Sequence, residues 1–198
     1  MAEAVVHLID DDEDVRRALS FLLGTAGFAV KVYESAASFL QRYDPSASGC
    51  IVSDVRMPEM DGLQLLRRLN EMAVKLPVVI MTGHADVALA VEAMKMGAVD
   101  FIEKPFPDES FLAAIRTALS RQKSVPTGDI GQIRSRLASL STREREVLNG
   151  LLAGHPNKTI AYDLGLSPRT VEVHRANVMT KMGASSLSEL VRMTLYAT

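Results

Sequence analysis

At 198 residues and 47% hydrophobic content, the chain is long enough for one large or two modest globular domains, and two fits the rest of the sequence better. No apolar run reaches the roughly 18 residues that span a bilayer, and the start, Met-Ala-Glu-Ala, lacks the basic and apolar regions of a signal peptide, so the expected location is the cytoplasm. The net charge of -2 conceals an asymmetry: residues 1–123 carry 18 acidic and 13 basic side chains, residues 124–198 carry 6 and 9. An acidic first part joined to a basic second part fits a regulatory module attached to a nucleic-acid module. The single cysteine, Cys50, rules out an internal disulfide and sits in an apolar strand, the setting of a core residue.

Val5, Val6, Leu8 and Ile9 form the apolar run expected of a strand buried on both faces, and it ends in Asp10, Asp11 and Asp12. A helix follows with Val15, Leu19 and Leu22 on one face, Asp12 or an acidic neighbour as its cap and Gly24 near its end. Residues 28–33 read as a second strand, and Ser35 caps a short helix through Leu40. The turn from Pro45 to Gly49 leads into a third strand, where Ile51 and Val52 run into Asp54 and Pro58 stops any continuation. Asp61-Gly62 opens a helix carrying Leu63, Leu66 and Leu69. Pro77 introduces a strand over 78–81 that ends in Thr82 and Gly83, and a helix over roughly 86–96 is stopped by Gly97. The fifth strand, 99–102, ends in Glu103, Lys104 and Pro105; a last helix carries Phe111, Leu112, Ile115 and Leu119.

Five apolar strands alternating with five helices imply an α/β fold with a doubly wound parallel sheet, because parallel strands need crossovers and helices must cover both faces. In such a sheet ligands bind beyond the carboxyl ends of the strands. Four of those ends carry polar groups: Asp10 and Asp11, Asp54, Thr82, and Lys104. Three carboxylates brought together repel one another unless a cation neutralises them, and so few oxygen ligands favour magnesium that keeps some waters. With Mg2+ and Lys104 the pocket balances, accepts a phosphoryl group, and leaves a carboxylate to form an aspartyl phosphate.

These residues resemble the receiver domains of bacterial two-component response regulators, flavodoxin-like in fold, over essentially all of residues 4–122. The resemblance rests on Asp10-Asp11, Asp54 in Ser-Asp-Val-Arg-Met-Pro, Asp61-Gly62, Thr82-Gly83 and Lys104-Pro105-Phe106. It implies that Asp54 takes a phosphoryl group from a sensor histidine kinase. It also implies that Asp11, Asp54 and the Arg56 carbonyl ligate Mg2+ with Asp10 assisting, that Lys104 pairs with the phosphate, that the Lys104-Pro105 bond is cis, and that Thr82 and Phe101 form the switch. His84 reads as an incidental loop residue. A magnesium-dependent phosphohydrolase would need much the same carboxylates, but it would usually carry an acid two residues after the nucleophile, where Arg56 stands. The protein is therefore not expected to be an enzyme beyond self-phosphorylation and autodephosphorylation.

Residues 123–133, with Ser124, Pro126, Gly128 and Gly131, lose the apolar pattern and read as a linker. Beyond it, short helices are expected over about 134–137, 142–152, 157–164, 168–182 and 187–195, forming a small all-α domain over 134–198. Two of them joined at Gly165, the second rich in Arg, Thr, Asn and Lys, make a helix-turn-helix candidate. Val171, His174, Val178 and Met182 recur at helical spacing toward the core. The opposite side carries Arg169, Glu172, Val173, Ala176 and Thr180, flanked by Arg175, Asn177 and Lys181, a face suited to a major groove.

The segments Leu140-Ser-Thr-Arg-Glu-Arg-Glu-Val-Leu148, Asn157-Lys-Thr-Ile-Ala and Ser167-Pro-Arg-Thr-Val-Glu-Val-His-Arg resemble the LuxR-type DNA-binding domain. Paired with the receiver they resemble the NarL/FixJ class, on its FixJ side. One departure is Thr159, where the wider family often has glutamate. The resemblance implies double-stranded DNA as partner, with Glu172, Val173 and Ala176 toward the bases and Lys158, Thr170, Arg175 and Lys181 on the backbone, Arg169 lying on the same face. It implies a homodimer on phosphorylation, through Val87, Ala90, Val91 and Met94 of the fourth helix with the fifth strand, and through Leu187, Leu190 and Val191. Some of the fourth-helix residues are expected at the surface. RNA polymerase is a further candidate partner.

Overall fold

A computed structural model describes residues 4–83, 87–121 and 130–197. Contacts divide the chain into two units, residues 1–85 with 96–126, and residues 86–95 with 127–198.

The first unit is built on five parallel strands: β1 (Val5–Ile9), β2 (Ala29–Tyr33), β3 (Gly49–Asp54), β4 (Val78–Thr82) and β5 (Asp100–Glu103), in the order β2-β1-β3-β4-β5. The intervening helices are α1 (Glu13–Thr25), α2 (Ala36–Arg42), α3 (Gly62–Glu71), α4 (Val87–Lys95) and α5 (Asp108–Arg121), of which α4 falls in the second unit. The expected doubly wound sheet is therefore present. The register pairs Ile9 with Ser53, Asp54 with Met81 and Thr82 with Glu103, which brings four strand ends to one edge.

Local chemistry explains where the helices begin. The Asp12 carboxylate accepts from the backbone N–H of Asp14 and Val15 and starts α1 directly after the acidic loop. Ser35 caps α2, and Asp61 with Gln64 forms a reciprocal capping box at α3. Val6, Leu8, Cys50, Val52, Val79 and Met81 project from one face of the sheet into a core closed by Leu19, Leu23, Phe111, Ile115 and Ala118 of α1 and α5. Cys50 is wholly buried there, and desolvation pushes its thiol up to about 12, so the thiolate that makes a nucleophile is suppressed. Strand alternation sends His7 to the other face, against Tyr33 and the α2 residue Phe39.

In the second unit α6 (Ile130–Ala138), α7 (Thr142–Leu152), α8 (Asn157–Leu164), α9 (Pro168–Met182) and α10 (Leu187–Ala197) surround a core of Leu140, Val147, Leu148, Leu151, Ile160, Val171, Val178, Met182 and Leu190. Residues 130–133, read as linker from sequence, are the first turn of α6; Ile130, Ile133 and Leu137 give it an apolar stripe that Gly131 disguised. The remainder of the linker, like His84, lies outside the described residues. Helix α4 packs within this unit against α10 and α7, Val87 joining its core and Lys95 Nζ donating to the Leu152 carbonyl at 2.9 Å.

That packing corrects one expectation. Ala90, Val91 and Met94 are buried and Val87 is half-buried, so none of the four is an exposed patch in this conformation. Leu190 and Val191 are likewise fully buried, and Leu187 is half-buried. The apolar excess on α4 was legible, but its cover comes from helices distant in sequence.

Candidate functional site: an acidic pocket and a helix-turn-helix

Asp10 and Asp54 stand at the carboxyl ends of adjacent strands, and Lys104, just past β5, reaches both. Its Nζ lies 2.7 Å from Asp10 Oδ2 and 2.6 Å from Asp54 Oδ1. The other carboxylate oxygens take backbone donors: Asp10 Oδ1 accepts from Asp12 N–H at 3.0 Å, and Asp54 Oδ2 from Arg56 N–H at 2.6 Å. Burial raises the Asp10 carboxyl above the usual range, and the Lys104 bond only partly offsets it. For Lys104, burial opposes the charge, but the two carboxylates outweigh it and hold the ammonium above its ordinary value. The pocket is thus two buried acids sharing one cation.

Backbone bonds fix this arrangement. Lys104 N–H donates to Thr82 O at 2.6 Å, the Lys104-Pro105 peptide that follows is cis, and Val55 N–H donates to Met81 O at 2.8 Å. Gly62 N–H returns to Val55 O at 2.9 Å, and a methyl group on Gly62 would overlap the Asp54 carbonyl oxygen, so the first turn of α3 lies directly on the end of β3. Glu59, in the loop between, holds a left-handed φ of 66°. Thr82 is fully buried at the end of β4, and Phe101 is half-buried on β5. Asp11 is exposed on the loop beside Asp10, and the Arg56 side chain is exposed.

Among the described residues no three metal-ligating side chains form a ready cage. The Asp10–Asp54 pair nonetheless attracts a cation, the Lys104 ammonium. Sequence reasoning missed one contact: Arg16 Nη1 donates to Asp10 O at 2.7 Å, tying α1 to the same loop.

In the second unit α8 ends at Gly165, whose φ of 64° supplies the left-handed turn into α9. Ser167 caps α9, accepting from Thr170 N–H at 3.1 Å, with Pro168 as the first helical residue. Val171, Val178 and Met182 face the core as expected and His174 is half-buried. Arg169, Glu172, Ala176, Asn177 and Thr180 are exposed, and Val173 is 55% exposed, unusual for a large apolar side chain. Lys158 is exposed; Thr170 and Arg175 are half-buried.

Lys181, exposed on this helix, also has a partner within the domain. Its Nζ meets Glu144 Oε2 at 2.7 Å, and Glu144 completes a capping box with Ser141 at the start of α7. The Lys181 bond, with the Ser141 backbone N–H, holds the Glu144 carboxyl down at about 2. The capping-box spacing was visible in the sequence; the partner 37 residues away was not.

A parallel α/β sheet with an acid-lysine pocket at its strand ends, followed by a helix-turn-helix, defines a response regulator. The chain belongs to that family: residues 6–116 match the response regulator receiver domain and residues 138–194 match the bacterial regulatory proteins of the luxR family. It is 56% identical over 194 residues, 97% of this chain and 92% of the relative, to the transcriptional regulatory protein FixJ of Azorhizobium caulinodans. Identity to FixJ of Rhizobium meliloti is 52%, covering 98% of this chain and 97% of the relative. A crystal structure of full-length FixJ from B. japonicum matches with a TM-score of 0.58 at 50% identity, covering all of this chain and 98% of that one. The protein is a FixJ-like transcriptional regulator with a receiver domain and a LuxR-type DNA-binding domain.

Proposed function

We propose that Asp54 is the phosphoacceptor, receiving its phosphoryl group from a sensor histidine kinase. The observation that carries this reading is the Lys104 ammonium shared between Asp54 and Asp10, which supplies charge where a phosphoryl group needs it. Asp11, Asp54 and the Arg56 carbonyl would hold Mg2+, with Asp10 assisting. Bound there, the ion would neutralise charge on the transferring group. Lys104 moves from the carboxylate pair to the phosphate, while the buried Thr82 hydroxyl and Phe101 form the switch between the two states.

In the second domain Glu172, Val173 and Ala176 read base edges, with Arg169 beside them. Lys158, Thr170 and Arg175 contact phosphates, and Lys181 mainly holds the recognition helix in place. Phosphorylation promotes a homodimer. Because Ala90, Val91 and Met94 are buried and α4 packs against α10, dimerisation through them requires α4 and α10 to separate first, whereas Leu190 belongs to the core of the helical unit itself. Labelling with a small phosphodonor tests the first step: one acid-labile phosphate per chain, lost in Asp54→Asn, is the expected result, and equal labelling of that variant overturns it.

A further inference from the structure

His7 is a titratable side chain in the middle of β1, 3% exposed, and the phosphoacceptor pocket makes no use of it. Its Nδ1 lies 3.1 Å from the Tyr33 hydroxyl, its ring stacks on Tyr33, and the edge of Phe39 meets it at 5.6 Å between centroids. Among the described residues Nε2 is buried with no hydrogen-bond partner. With the proton on Nδ1, toward the Tyr33 hydroxyl, Nε2 is only a bare acceptor, whereas a second ring proton would place a charged N–H where no described residue accepts it.

The surroundings oppose that charge from each side. Lys31, aligned with His7 across the β1–β2 pairing, is the charged group acting on it, and Ile51 aligns with it on β3. From α2 come Phe39 and, toward Tyr33, Arg42; Tyr43 stacks on Phe39. The carboxylates of this edge are engaged elsewhere, Glu34 with its own backbone N–H, Asp44 with the backbone N–H and hydroxyl of Ser46. Burial, followed by Lys31, accordingly lowers the His7 pKa. Tyr33 also joins this edge to the pocket, since its carbonyl accepts the Asp10 N–H at 3.3 Å.

We propose that His7 makes the β1–β2–α2 edge an acid-sensitive element, packed while the ring is neutral and opened when a solvent proton binds Nε2, loosening the backbone bond at Asp10. This goes beyond the phosphotransfer reading and does not depend on it.

The sign follows from linkage: a histidine whose folded pKa is depressed loses stability as pH falls below the unfolded value near 6.5. The test is thermal unfolding of the full chain between pH 8 and 5, for wild type and His7→Met. Wild-type Tm should hold above about pH 7 and fall below it, roughly 4 °C for each tenfold penalty on the protonated ring, while the variant stays flatter. Parallel curves overturn the proposal. Should the variant fail to fold, ring-nitrogen NMR of wild type still decides: a His7 ring neutral at pH 6 supports it, and titration at or above 6.5 overturns it. Phosphodonor labelling of Asp54 at pH 7.5, run alongside, reports on the phosphoacceptor reading separately.

Discussion

Lys181 Nζ and Glu144 Oε2, 2.7 Å apart, bolt the last turn of the recognition helix to the first turn of α7. A lysine available for phosphate contact from its sequence position is therefore first a structural tie. Glu144 has a depressed carboxyl, so its contribution to stability is complete above the unfolded value near 4.5 and disappears as pH falls toward about 2. Acid unfolding of Glu144→Gln should lack that component and begin from a lower Tm. Lys181→Ala should also lower Tm while leaving the salt slope of DNA binding nearly unchanged; a slope reduced by about 1 would make Lys181 a phosphate contact instead.

The pocket gives a prediction in which stability and activity part. Burial raises the Asp10 carboxyl, so its ionisation costs the fold: stability is greatest below the unfolded pKa and declines as pH rises through the folded one. Asp10→Asn should therefore raise Tm at neutral pH, by calorimetry, while slowing phosphate incorporation from a small donor. Chelating Mg2+ should stop incorporation in wild type. A variant with lower Tm at pH 7 would contradict the electrostatic account.

Gly62 tests how tightly the phosphoacceptor strand is held. A methyl group there meets backbone, which yields far less readily than a flexible side chain. Gly62→Ala should lose about 1–3 kcal/mol in urea denaturation, the usual cost of overpacking, and should slow labelling of Asp54 because the displaced carbonyl is its own. Unchanged stability would mean that α3 can slide away from β3.

On the recognition helix two kinds of effect should separate. Lys158→Ala and Arg175→Ala should weaken binding to all duplexes and each reduce the salt slope by about 1. Val173→Ala and Glu172→Ala should leave non-specific affinity intact and relax discrimination at individual base pairs, by about 1–3 kcal/mol each. Titrations of specific and scrambled duplexes at several salt concentrations distinguish the two patterns.

The strands and the pocket were legible because local signals agreed: short segments rich in apolar residues, turn residues between them, and polar groups at four of the five carboxyl ends. The helix-turn-helix was legible for a similar reason, through Ser167-Pro168 and Gly165. Features set by distant partners were hidden. His7 broke an apolar run without revealing that Tyr33, 26 residues on, would share its ring nitrogen. Glu144 showed its capping spacing but not Lys181, and the rich apolar surface of α4 gave no indication that α10 would cover it. Period and composition report what a segment needs to bury, whereas the identity of its partner is a property of the folded chain.

The strand order carries a consequence for synthesis. Asp10 leaves the ribosome first and Asp54 follows, yet β1 and β3 are hydrogen-bonded neighbours at the middle of the sheet, and the cation between their ends belongs to a residue beyond β5. Until Lys104 emerges, a nascent chain that pairs β1 with β3 must hold two carboxylates side by side without their ammonium, a repulsion that favours delay. The charge balance at the ends of β1 and β3 is thus completed only by a residue that follows the last of the five strands.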